Sequence, residues 1–185
     1  MTEKLRILGI SGSLRKGSFN TAALHAAQEL VPEGVEMVVA EIGELPAFNQ
    51  DLEADPPAAA TSFKQAVREA DAIVFSSPEY NYSVPGHLKN AIDWASRPYG
   101  DSAWDGKPAL IMGASPGAIG TARMQYHLRQ IMVFLNMHPL NKPEVMINNC
   151  ASKFDEQGNL TDEKTREYLK QAIEALVHWT RRLKS

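Results

Sequence analysis

Short, nearly unbroken apolar runs alternate along this chain with stretches of helical periodicity, and this alternation is its most restrictive feature. The first run, residues 5–10, ends in serine and glycine, and residues 72–75 have the same apolar character. Strands of this kind are covered on both faces, as in the parallel sheets of α/β proteins. The predicted strands are 5–10, 35–40, 72–75, 109–112 and 144–147. The predicted helices are 20–30, 61–70, 88–94, 122–135 and 162–183.

Five strands that alternate with helices predict a five-stranded parallel sheet with helices on both faces. The expected strand order is the doubly wound, flavodoxin-like one, in which ligands bind beyond the carboxyl ends of the strands. The length of 185 residues suits one compact domain, so we expect residues 1–185 to form a single domain. The functional residues are then expected in the segments that follow the first, third and fourth strands.

Composition argues against several classes of function. A net charge of −3 argues against binding to nucleic acids or anionic membranes, because both require a basic face. The single cysteine, Cys150, allows neither an intrachain disulfide nor a multi-cysteine metal site, and no metal site is expected. The first residues lead directly into a strand without a hydrophobic signal segment, and no apolar run approaches about 18 residues. The expected location is therefore the cytoplasm.

The segment after the first strand has the composition of a phosphate-binding turn. It reads Ser-Gly-Ser-Leu-Arg-Lys-Gly-Ser-Phe-Asn over residues 11–20, directly before a predicted helix. Glycines let backbone N–H groups point inward, a helix N-terminus attracts anions, and arginine binds two phosphate oxygens at once. The segment is not a Walker A loop, because Ser18 stands in place of the lysine, and it lacks a dinucleotide-binding fingerprint. A polar turn with a serine helix cap is the alternative interpretation.

Two further segments suit a flat ring. Residues 78–86, after the third strand, contain two prolines that stiffen the backbone and two tyrosines on either side of Asn81. Such an aromatic loop can hold a planar heterocycle by stacking and by hydrogen bonds to its edge, although tyrosines that cover the core also fit. Residues 113–121, after the fourth strand, are rich in glycine, and their N–H groups could stabilise negative charge on a reduced ring. A flexible turn is the alternative there.

Together, these segments resemble the NADPH-dependent FMN reductase family, and within it the bacterial chromate and quinone reductases and related azoreductases. The likeness is carried by residues 12–20, by Pro-Glu-Tyr-Asn-Tyr-Ser at 78–83, by Leu-Lys-Asn-Ala-Ile-Asp-Trp at 88–94 and by Tyr-His-Leu-Arg-Gln at 126–130. The resemblance implies an FMN cofactor, NADPH or NADH as co-substrate, and a small-molecule electron acceptor such as a quinone, a flavin, an azo dye or chromate. It also implies a two-step, ping-pong hydride transfer through the bound FMN.

The resemblance assigns site residues as well. It places the FMN phosphate on Ser13, Arg15, Ser18 and Asn20, with Phe19 beside them. It places the ring and the ribityl chain on Pro78, Glu79, Tyr80, Asn81, Tyr82 and Ser83, and the pyrimidine side of the ring on Ser115, Pro116 and Gly117. No catalytic side chain is implied, because the flavin carries the chemistry. Family members form homodimers or homotetramers, and the implied subunit contacts are Arg123, Tyr126 and Glu144.

Two other functions remain open from the sequence. A flavodoxin-type electron carrier commonly has a strongly acidic face, whereas a charge of −3 is mild. A flavin-binding sensor would share the same motifs and is not distinguished by them. A signalling receiver domain on a similar sheet is disfavoured, because it needs acidic residues at the strand ends, where this chain has serines and prolines.

Overall fold

The computed structural model describes residues 4–185. Its strands are β1 (Leu5–Ser11), β2 (Val35–Ala40), β3 (Ala72–Ser76), β4 (Pro108–Ala114), β5 (His138–Pro139) and β6 (Val145–Ile147). Its α-helices are α1 (Phe19–Glu29), α2 (Ala58–Glu69), α3 (Gly86–Ala95), α4 (Ala122–Phe134) and α5 (Glu163–Lys184). Neighbouring strands pair in parallel in the order β2-β1-β3-β4, and both β5 and β6 pair with β4. The predicted parallel α/β sheet is confirmed.

The sheet of the described residues contains six strands, where the sequence predicted five. The additional strand, β5, has two residues and pairs with Pro108 and Ala109 at the start of β4. β6 pairs with residues 112–114 at the other end of β4. The two short strands therefore share the fifth position of the sheet, and the order remains the doubly wound, flavodoxin-like one. The sequence pattern missed β5 because two residues, one of them a proline, show no periodicity.

Helices cover both faces of the sheet, as predicted. On one face, α1 and α5 share a buried cluster with the strands, which includes Leu24, Ile173, Val74 and Leu110. On the other face, α2, α3 and α4 form a second buried cluster with the opposite side chains of the same strands. Each strand is thus covered on both sides, which is why its sequence is an unbroken apolar run instead of an alternating one.

The second cluster is centred on large aromatic side chains. Trp104 is fully buried, and its ring centroid lies 5.7 Å from that of Phe75 and 6.2 Å from that of Phe63. Its indole N–H donates a hydrogen bond to the Ile92 carbonyl oxygen at 2.9 Å, so burial leaves no unpaired polar group on this ring.

Between residues 4 and 185, no helix combines the length and the apolar character needed to cross a membrane.

All the strands run in parallel, so the connections that follow them emerge at one edge of the sheet. We call residues 12–18, between β1 and α1, the first loop, and residues 77–85, between β3 and α3, the second loop. Residues 115–121, between β4 and α4, are the third loop. The functional residues were predicted in these three segments, and the strand order β1-β3-β4 makes the segments neighbours.

Candidate functional site

Glycines allow the segments at this edge to meet without a side chain between them. A Cβ atom on Gly12 would lie 2.2 Å from Ser77 Oγ. A Cβ atom on Gly113 would lie 2.0 Å from Thr121 Oγ1 and 2.5 Å from the Ser77 carbonyl oxygen. Such distances are far shorter than van der Waals contact, so both positions require glycine. Ser77 is therefore in close contact with the first loop on one side and with the end of β4 on the other.

Asn20 joins α1 to β4 beneath the first loop. Its buried side chain accepts a hydrogen bond from the Ala114 N–H at 2.8 Å and donates one to the Ala114 carbonyl oxygen at 3.0 Å. The Ser76 hydroxyl donates to the same Asn20 oxygen at 3.5 Å. This geometry shows that the amide holds the start of α1 against β4. The phosphate contact predicted for Asn20 stays a prediction.

The first loop presents backbone N–H groups that the protein does not use. Among residues 4–185, the N–H groups of Leu14, Lys16 and Gly17 have no acceptor. Ser18 caps α1, since its Oγ accepts hydrogen bonds from two helical N–H groups at 3.2 and 3.4 Å, and its own hydroxyl proton stays free to donate. Ser13 Oγ accepts the Arg15 N–H at 3.4 Å and so supports the bend of the loop. Together with the positive end of α1, these donors suit an anion.

Arg15 adds a full positive charge to the same loop. No carboxylate in the described part of the chain pairs with its guanidinium, which lies 5.9 Å from the ring centroid of Phe19. The Phe19 ring in turn lies 5.5 Å from that of Phe154. The phenylalanine predicted as part of the site therefore orients the arginine through a cation–π contact. An unpaired guanidinium beside open N–H groups is the arrangement that binds a phosphate monoester with two parallel hydrogen bonds.

The second loop contains a tight hairpin turn. The Tyr80 N–H donates to the Ser83 carbonyl oxygen at 3.1 Å, and the Ser83 N–H donates to the Tyr80 carbonyl oxygen at 2.9 Å. The two central residues have positive φ angles, 50° at Asn81 and 67° at Tyr82, as in a type I′ turn. The Tyr80 and Tyr82 side chains are 52% and 70% exposed. The alternative that these tyrosines cover the core is therefore wrong, because both side chains are largely exposed.

Glu79 fastens this hairpin to α4. Its carboxylate accepts hydrogen bonds from the backbone N–H groups of Arg123 at 3.0 Å and Met124 at 3.2 Å, and it pairs with the Arg123 guanidinium. The same guanidinium lies 3.5 Å from the ring centroid of Tyr82. The second loop and the start of α4 are thus connected by a helix cap, an ion pair and a cation–π contact. Sequence reasoning could not pair Glu79 with Arg123, because they lie 44 residues apart.

The third loop offers donors at positions that the sequence did not select. The Ser115 N–H donates to the last carbonyl oxygen of β6 at 2.9 Å, and the Gly117 N–H donates to Ser115 Oγ at 3.1 Å. Pro116 has no N–H group. Within residues 4–185, the N–H groups of Ala118 and Ile119 have no acceptor. The sequence marks this segment as a glycine-rich loop, but it does not reveal which N–H groups the fold already uses.

The residues predicted at a subunit interface form polar contacts within the chain. The Tyr126 hydroxyl donates to Glu144 Oε1 at 2.7 Å, and this hydrogen bond raises the pKa of the tyrosine. Tyr126 is 58% exposed, and Arg123, one turn earlier on α4, forms the ion pair with Glu79. Arg123 and Tyr126 therefore lie exposed one turn apart on α4, and Glu144 is hydrogen-bonded to the second of them. Their role between subunits stays a prediction.

The three loops fit the parts of FMN in the order of the sheet. The first loop carries the unpaired Arg15 and the open N–H groups that a dianionic phosphate needs. The second loop carries exposed aromatic rings on a stiff turn, which suit the tricyclic ring. The third loop supplies open N–H groups for the polar edge of that ring.

Comparisons with known proteins agree with this geometry. Residues 5–152 match the NADPH-dependent FMN reductase family. The chain is 54% identical to an NAD(P)H-dependent FMN reductase of Pseudomonas aeruginosa over the full length of both chains. It is 45% identical to a 2-hydroxy-1,4-benzoquinone reductase of a Burkholderia species, over 96% of this chain and 97% of that one. Its fold matches FerB, a flavoenzyme NAD(P)H:(acceptor) oxidoreductase from Paracoccus denitrificans, with a TM-score of 0.89 and 39% identity over 96% of this chain and 98% of that one.

The resemblance drawn from the motifs is thereby confirmed. The oxidoreductase activity, the FMN cofactor and the NAD(P)H co-substrate that it implied are confirmed with it. The matched range includes β1, β3, β4 and all three loops, so the likeness covers the whole candidate site. The chain belongs to the NADPH-dependent FMN reductase family.

Proposed function

We propose that residues 1–185 form a single FMN-binding domain that transfers electrons from NAD(P)H to quinones. The observation that carries this proposal is the unpaired Arg15 beside the open N–H groups of the first loop, next to an exposed aromatic hairpin. In the proposed site, the first loop holds the phosphate through Ser13, Arg15, Ser18 and the free N–H groups. The hairpin of the second loop lies along the ring, and the N–H groups of the third loop contact its pyrimidine side.

The chain's own residues bind and orient, and the chemistry comes from the cofactor. FMN, when bound, accepts a hydride from NAD(P)H and passes two electrons to the acceptor. In this proposal, the exposed Tyr80 and Tyr82 cover one side of the bound ring. The N–H groups of Ala118 and Ile119 are fixed by the fold before any charge develops, so they stabilise negative charge without reorganisation. No side chain is required to move a proton.

Quinones are the proposed acceptors, and the surface between the three loops supports this choice. The surface between the loops presents tyrosine rings and the exposed Ile119 and Leu14, which suit a planar, weakly polar molecule. The Burkholderia relative is a reductase of a hydroxylated benzoquinone. Azo compounds, free flavins and chromate are alternative acceptors at the same opening, and relative turnover with each would rank them.

The purified protein tests the proposal directly. We expect bound FMN with its visible absorption, bleaching on addition of NADPH without oxygen, and recovery of the colour when benzoquinone is added. Steady turnover of NADPH with a quinone, at a rate far above that of free FMN, separates an enzyme from an electron carrier or a sensor. A protein that neither contains FMN nor takes it up when it is added would contradict the proposal.

We also propose that the chain forms a homodimer or a homotetramer. The exposed face of α4 continues from the second loop along Tyr126 to Val133 and Phe134, which are 58%, 81% and 75% exposed. An apolar surface of this kind marks a protein contact. Sedimentation should give the mass of two or four chains, and a mass of one chain at micromolar concentration would contradict this proposal. A cytoplasmic location, where NAD(P)H is regenerated, is likewise proposed, and cell fractionation would test it.

A further inference from the structure

Helix α4 begins without a cap from its own segment. Its capping residue, Thr121, has φ of 69°, and its side chain accepts no hydrogen bond from the backbone N–H groups of the first turn. The cap is supplied instead by Glu79, from the second loop, through the N–H groups of Arg123 and Met124. The Glu79 side chain is 8% exposed, whereas that of Arg123 is 41% exposed. The carboxylate is thus the buried member of the pair, and its charge is only weakly screened by water.

This carboxylate opposes two sources of positive potential at the edge of the site. One is the N-terminus of α4, which is equivalent to about half an elementary charge. The other is the Arg123 guanidinium, which is held over Tyr82. The third loop leads directly into α4, so the N–H groups proposed to contact the flavin ring lie beside the same helix end. With the ring in the proposed position, a change in charge at Glu79 would act where negative charge collects on reduction.

We propose that Glu79 is a positioning residue whose negative charge lowers the reduction potential of the bound flavin. The inference rests on the proposed function, because it requires FMN in this site. Transfer of a hydride, two electrons and one proton, from NAD(P)H leaves NAD(P)⁺ and a reduced ring with one additional negative charge. Glu79 offsets the positive helix end and the guanidinium, so it weakens the binding of the reduced form relative to the oxidised form. A lower potential favours the onward transfer of electrons to the acceptor.

Substitutions of opposite sign test this assignment. Glu79→Gln keeps an oxygen that can accept the two backbone N–H groups but removes the charge. We expect it to favour reduced over oxidised FMN by about tenfold, which is about 30 mV for a two-electron couple. Arg123→Gln removes the positive partner and leaves the carboxylate, so we expect a shift of similar size in the opposite direction. The double substitution should return the reduction potential of the bound flavin close to that of the parent.

The readout is the midpoint potential of the bound flavin, followed by its absorption spectrum against a reference dye. A matched control is Glu29→Gln, which removes the same charge from another ion pair, with Arg166. Glu29 is the last residue of α1, at the end remote from the first loop, and we expect no shift there. FMN affinity and thermal unfolding are measured in parallel. A purely structural role for Glu79 would change these two quantities without a shift whose sign follows the charge.

The outcomes separate this inference from the function on which it rests. A parent protein that does not bind FMN would overturn both. A parent that binds FMN, with Glu79→Gln and Arg123→Gln shifting the potential in the same direction or not at all, would overturn the role of Glu79 alone. If Glu79→Gln fails to fold or to bind FMN, Arg123→Gln decides. A fall in its potential supports the inference, and no change or a rise contradicts it.

Discussion

Replacement of Arg15 by alanine is expected to weaken FMN binding by roughly 10- to 150-fold. A hydrogen bond to a charged group contributes about 1.5–3 kcal/mol, and each 1.4 kcal/mol is a tenfold change in affinity. Arg15 is fully available for this contact, because no carboxylate in residues 4–185 pairs with it. Titration of the apoprotein with FMN, followed by flavin fluorescence, would measure the loss. The turnover of enzyme that is saturated with FMN should stay close to that of the parent.

Two further variants define what Arg15 contributes. Arg15→Lys keeps the charge but loses the planar fork, so its affinity should fall between those of the parent and the alanine variant. Arg182→Ala removes the same charge from the last turn of α5, and it should leave FMN affinity unchanged. Equal FMN affinities for Arg15→Ala and the parent would remove the first loop from the phosphate site. An equal loss in Arg182→Ala would show only an effect of net charge.

Gly113→Ala is expected to lower the free energy of unfolding by about 1–3 kcal/mol, or by more. The added Cβ would lie 2.5 Å from the Ser77 carbonyl oxygen, which is backbone and cannot rotate away. It would also lie 2.0 Å from Thr121 Oγ1, so both Ser77 and Thr121 must move away from β4 to admit it. We therefore expect FMN affinity to fall together with stability. Urea unfolding of the apoprotein and FMN titration would measure the two effects separately.

Gly86→Ala is the matched control for this substitution. Gly86 is the first residue of α3, a Cβ there meets nothing within 4 Å, and its φ is not positive. Alanine in an open helical position lowers the entropy of the unfolded chain and stabilises by up to about 1 kcal/mol. We expect Gly86→Ala to be neutral or stabilising and to bind FMN normally. Similar losses in both variants would show that the close contact at Gly113 is not the cause.

The fold was readable because its strands are buried on both faces. Residues 5–10 and 72–75 are apolar without alternation, and the structure places them as adjacent central strands between two helical layers. The helix bounds were correct to within about three residues, as expected when caps and prolines mark the ends. The sequence pattern did not predict β5 at the edge of the sheet, because a strand of two residues is too short to show a periodicity.

The sequence predicted the three segments of the candidate site but not the contacts that join them. Ser13, Arg15 and Ser18 lie in the predicted loop, whereas the Asn20 amide is bound to Ala114 across 94 residues of sequence. Such a pairing depends on how α1 packs against the sheet, and no local pattern encodes it.

The positive φ at Tyr82 could not be predicted from the sequence either. Type I′ turns usually carry glycine at one of their central positions, and tyrosine adopts this conformation only at a cost in energy. Here the cation–π contact with Arg123 and the ladder between Tyr80 and Ser83 hold it in place. Asn81 suits its position in this turn, whereas Tyr82 adopts its conformation against its own preference and with the support of α4.

The division of the outermost strand has a consequence for how molecules of this protein meet. An intact border strand displays a row of amide and carbonyl groups onto which a strand of another molecule can add, which leads to aggregation. Here that border consists of His138–Pro139 and Val145–Ile147, two fragments too short to align an incoming strand, and one contains a proline that cannot donate. Molecules of this protein are therefore not expected to associate by extending the sheet at this edge. Contacts between molecules are then expected to involve helical surfaces instead.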